Sequence, residues 1–97
     1  MLLEDIKKSL RVSHYELDDE ITDLIEEARA DLILSGVSSV IAEEEIDVDP
    51  LIKRAIKLYA KADFEEDKDK SEKYQRSYDL LKQHLSLSAD YSDVPVV

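Results

Sequence analysis

The chain offers little with which to do covalent chemistry. Its two histidines, His14 and His84, lie 70 positions apart, and neither belongs to a recognisable metal-ligand pattern. Asp67 and Asp69 begin something like a calcium-binding loop, but the glycine at the turn and the closing glutamate at the right offset are missing. There is no cysteine, which excludes a thiolate nucleophile, a disulfide framework and a sulfur-based zinc site. With a single glycine, Gly36, no phosphate-cradling loop can be written, and no Ser/His/Asp set stands out. Paired carboxylates are plentiful, yet they fall on helix faces where solvation is the simpler reading. The expectation is a protein that is not an enzyme and needs no cofactor or metal.

What the residues do suggest is contact through charge. Residues 1–49 hold 15 acidic and 4 basic side chains, a net −11, whereas residues 50–97 hold nine of each and are neutral. Such a division suits a subunit that shows unlike surfaces to different neighbours. The overall −11 repels a phosphate backbone, so direct nucleic-acid binding is disfavoured. No apolar run approaches the roughly 18–20 residues that span a bilayer, and the start Met1-Leu2-Leu3-Glu4-Asp5 lacks signal-peptide features, so the chain is expected to be made and kept soluble in a cytoplasm, without a membrane.

The elements that position these charges are helical. At 97 residues the chain supports one core, and one glycine with two prolines argues against hairpin-rich β folds. Leu3, Ile6 and Leu10 set a short first helix, and Ser13 to Glu16, or Asp18, supplies the next cap. Ile21, Leu24, Ile25, Ala28 and Leu32 then define a long amphipathic helix, which Gly36 ends by taking a left-handed conformation. Val37 to Asp49 reads as an acidic connector with a short helical or extended piece near Val40 and Ile41.

Asp49-Pro50 pairs a capping residue with proline at the first helical position. The helix it opens carries Ile52, Ala55, Ile56, Tyr59 and Ala60 on one face, widened by Leu51, Leu58 and Ala62, which makes it the most buried. Lys53, Arg54, Lys57 and Lys61 form its exposed row. Glu65 to Lys70 reads as a turn, with Asp69 or Ser71 capping a last helix that repeats Tyr74, Tyr78, Leu81 and Leu85. The expected fold is all-α, a small bundle of about four helices in one domain over residues 1–88, with an extended tail over 89–97. In that tail Tyr91, Val94, Val96 and Val97 are candidates for docking to a partner, since Pro95 and the β-branched residues resist helix. Tyr15 also lies off the periodic faces.

The run from Asp49-Pro50-Leu51-Ile52-Lys53-Arg54 to Ala62-Asp63-Phe64, and the later Tyr74-Gln75-Arg76-Ser77-Tyr78 to Leu85, resemble the two C-terminal helices of phage head-tail connector proteins, the small adaptor subunits of tailed phages. Leu3 to Leu10, Asp18-Asp19-Glu20 and Ser35-Gly36 are similar to the opening of that family, so the likeness runs over most of the chain. It implies an all-helical virion protein at the head–tail interface, forming a homo-oligomeric ring of about a dozen copies between the portal protein and a stopper or tail-completion protein. DNA would pass through the ring without specific binding.

A closed ring needs two different contact patches on each copy. The acidic face Glu20, Asp23, Glu27 and Asp31 is the candidate for one, and the basic row Lys53, Lys57 and Lys61 for the other. A second possibility is that surplus negative charge lines the channel and keeps DNA from sticking. The alternative from another class is a small acidic regulatory protein that binds and inhibits a basic or nucleic-acid-binding partner.

Overall fold

A computed structural model describes residues 2–92. Five helices follow one another, α1 (Leu2–Leu10), α2 (Asp18–Leu34), α3 (Ser39–Ala42), α4 (Pro50–Phe64) and α5 (Lys68–Leu87). No strand occurs among the described residues, where the only extended pairing is an isolated antiparallel bridge between Val37 and Ser92. The all-α expectation holds: four helices of useful length, with α3 a single turn inside the connector. Val94, Val96 and Val97 lie outside the described residues.

α4 is the hub, packed against α1, α2 and α5. Ile52, Ala55, Ile56 and Ala60 have no exposed surface, because apolar positions three and four apart stack on one side of the helix. They meet Ile6 of α1, Ile21, Ala28 and Leu32 of α2, and Tyr78 and Leu85 of α5 in one core. Leu51 departs from expectation: it is 42% exposed, since it points away from the side of the first turn on which Ile52 is buried. Lys7, outside the Leu3–Ile6–Leu10 face of α1, is nonetheless buried and ion-paired at 2.7 Å to Asp18.

The helix ends follow their local chemistry. The Asp49 carboxylate accepts the N–H groups of Leu51 and Ile52, with proline in the first turn of α4. Gly36 sits at φ 115°, a conformation side chains rarely take, and lets the chain leave α2. Neither Ser13 nor Asp18 caps α2; Leu17 holds that position without a side-chain bond, and Asp18 is already helical, which frees it for Lys7. The last helix also starts earlier than the sequence suggests. Asp67 is its cap, accepting from Lys70 N–H, so the turn covers only residues 65–67. Ser71 instead donates its hydroxyl to the carbonyl of Ala62 and ties α5 to α4.

Candidate interaction surfaces

The charged rows read from the sequence lie where the helix period puts them, but packing has already used several members. Glu27 and Asp31, one turn apart on α2, fall on the flank that faces α4 and α5. Asp31 accepts a 2.6 Å hydrogen bond from Tyr78 and a 3.0 Å contact from Lys82. Partial burial works against its charge, yet those two donors outweigh it and hold the carboxyl below the usual aspartate range. Burial first, and then the bond to the Asp31 carboxylate, pushes the Tyr78 hydroxyl far up. Glu27 takes a longer 3.5 Å bond from Tyr59, whose ring meets Tyr78 edge to face at 5.2 Å. Glu20 and Asp23 remain exposed.

The basic row divides in the same way. Lys53 binds Asp5 at 2.8 Å and, chiefly through that hydrogen bond, lowers the aspartate's pKa. Lys61 lies over the Tyr74 ring at 5.5 Å. Lys57 is half-buried and carries no ion pair among the described residues. Asp31 and Lys53, each named for opposite sides of a subunit contact, therefore stabilise the subunit itself.

Tyr91 is also engaged. Its hydroxyl reaches both carboxylate oxygens of Asp49 at 3.1 and 3.0 Å, its carbonyl accepts from Ser38 N–H at 2.7 Å, and its ring packs on the core. Asp49 thus caps α4 and fastens the segment after α5 in one place. Tyr15, by contrast, is 81% exposed.

The sequence reading missed a second basic site in the acidic half. Arg29 is the sole basic residue between Arg11 and Lys53. Its guanidinium is largely enclosed and reaches across 15 residues to the Glu44 carbonyl at 2.8 Å and the Glu45 carboxylate at 3.6 Å. The Glu44 carboxylate turns back to accept the N–H groups of Ile46 and then Asp47, which lowers its pKa. The loop after α3 is therefore a built structure, and its isolation as the one cation in a long acidic stretch was the available signal. At its crest Ile46 is 96% exposed.

Among the described residues no group of three or more His, Asp or Glu side chains could hold a metal ion, and no helix is long and apolar enough to cross a membrane. What the molecule presents is a set of shaped, charged surfaces on a small helical scaffold, the features of a subunit that works by contact. The chain belongs to the phage connector protein family, whose model matches residues 2–92. No curated protein and no solved structure matches it. Family membership makes it a structural component of the phage particle.

Proposed function

We propose that the chain is a head–tail adaptor subunit, assembling as a ring of about a dozen copies between the portal and a stopper or tail-completion protein, with DNA passing through the opening. The observation that carries this reading is the family match over nearly the whole chain. The division of charge supports it, because a head-to-tail contact joins unlike patches and an acidic first half faces a mixed second half. Among the described residues, Glu20 and Asp23 on α2 and Lys57 on α4 are the members of the two rows with no ion pair, side-chain hydrogen bond or ring contact, and they are available to a neighbouring copy. Exposed ion pairs contribute about 0–1 kcal/mol each, so apolar contacts must supply most of the affinity.

The test is mass measurement and negative-stain imaging of the purified protein, alone and with a portal complex. Closed rings, or recruitment to the portal, are expected. A tight one-to-one complex with a basic host protein and no association with portals or with itself would replace this reading by that of an acidic inhibitor.

A further inference from the structure

Two features at opposite ends of the subunit fit one another. At one end, the C-terminus of α1 meets the turn between α4 and α5 in a cleft of about 450 Å³, within the roughly 300–1,000 Å³ typical of sites that seat a ligand group. Leu10, Phe64 and Tyr74 form its apolar lining, and Arg11, Lys61 and Lys70 its basic rim. Glu65, the acid at its edge, turns its carboxylate to the N–H of Asp67. Neither Arg11 nor Lys70 has an ion partner among the described residues.

Arg11 is held there against its own preference. It stands at φ 60°, the left-handed position that closes α1, with Val12 N–H bonded to the Lys7 carbonyl and Arg11 N–H to that of Lys8. Glycine usually fills this place because a Cβ costs energy there. An arginine kept in a strained closing position, its charge unpaired at the mouth of a cleft, points to use of the side chain by something outside the subunit.

At the other end stands the loop of Glu43, Glu44, Glu45, Ile46 and Asp47. Arg29 and the Glu44 turn fix its shape, so the exposed Ile46 is presented on a preorganised acidic support. The two features cannot meet within one copy. α1 and α4 run side by side: Asp5 pairs with Lys53 near their starts, while Leu10 and Phe64 share the cleft at their ends. The 15 residues of α4 alone separate loop and cleft by about 21 Å.

We infer that the acidic loop of one copy inserts Ile46 into the Leu10–Phe64–Tyr74 cleft of the next, its carboxylates facing Arg11, Lys61 and Lys70. Glu43 and Asp47, the loop acids whose carboxylates have no partner among the described residues, meet three bases around an apolar plug, a head-to-tail contact that repeats and closes when the rotation per copy allows it. The inference rests on the ring reading and names the contact within it.

The experiment mixes ¹⁵N-labelled and unlabelled wild-type chains, assembles them with and without portal, and applies a zero-length carbodiimide cross-linker before peptide mass mapping. Mixed-isotope links from Lys61 or Lys70 to Glu43 or Asp47 are expected. Ile46→Asp should abolish assembly, whereas Leu80→Asp, at another exposed apolar site on α5, should leave it intact; circular dichroism confirms that both fold. The Glu43→Lys and Lys70→Glu variants should each lose assembly and regain it when combined in one chain. Rings that persist in Ile46→Asp, or cross-links that map elsewhere, overturn the contact and leave the ring reading standing. Open chains bearing the expected links keep the contact and remove the ring. The absence of both overturns both.

Discussion

Tyr78 donates its hydroxyl to Asp31 at 2.6 Å and thereby joins α5 to α2, two helices whose main packing partner is α4 rather than each other. Asp31, one of the four residues that the sequence sets on an outward acidic face, is instead part of an internal clasp that also holds Lys82. Hydrogen bonds to charged groups contribute about 1.5–3 kcal/mol. Tyr78→Phe keeps the ring against Tyr59 and removes the bond, and a loss of about 1–2 kcal/mol in urea unfolding is expected.

Acid should weaken the fold in a defined direction. The carboxyls of Asp31 and Asp5 lie below their ordinary value of 3.8 in the folded chain. The unfolded chain binds protons first as pH falls, so the stabilisation is complete above that ordinary value and disappears as pH drops through the folded one. Thermal unfolding between neutral pH and pH 3 should show this fall, and Asp31→Asn should make it shallower. An unchanged slope in that variant would remove the clasp as its source.

Asp49 has two tasks that substitution can separate. Asp49→Ala loses the α4 cap and the Tyr91 anchor together and is expected to cost about 1–2 kcal/mol. Tyr91→Phe removes only the anchor, and hydrogen exchange at Ser38, whose N–H bonds to the Tyr91 carbonyl, should then rise with α4 protection unchanged. Equal loss of protection in α4 would mean that cap and anchor act as one.

Arg11→Gly should move stability and assembly in opposite directions. Relief of the left-handed strain is worth about 1 kcal/mol, giving a more resistant monomer in denaturant. Loss of the guanidinium should weaken self-association in sedimentation experiments. Gly36→Ala provides the contrast: its Cβ would find only ordinary contact with Ser86 at 3.7 Å, so the conformational cost of about 1–2 kcal/mol should appear alone.

α4 was legible because two rules coincide at Asp49-Pro50 and its apolar positions follow a clean period. The closing role of Gly36 was equally plain, since a lone glycine after an amphipathic run has few other uses. The start of α5 was not, because Asp67, Asp69 and Ser71 are chemically interchangeable caps, and only the hydroxyl of Ser71 reaching Ala62 removes it from contention. The charged rows lie on α2 and α4, as the periods require, yet periodicity says nothing of which stretch meets another helix. Glu27 and Asp31 share a row with Glu20, and only the stretch of that row that runs beside Tyr59 and Tyr78 is engaged. Arg29 and the loop it holds are linked across 15 residues without any repeat, so only packing brings them together.

The parallel pairing of α1 with α4 carries a consequence for the order of events in the cell. The α4–α5 hairpin closes through a three-residue turn, whereas the Asp5–Lys53 pair spans 48 residues, and distant closures are paid for late in folding. The cleft at Leu10 and Phe64 comes into being when α1 arrives. On the proposed contact, a chain whose α1 has not yet docked on α4 has no socket to offer a neighbouring copy.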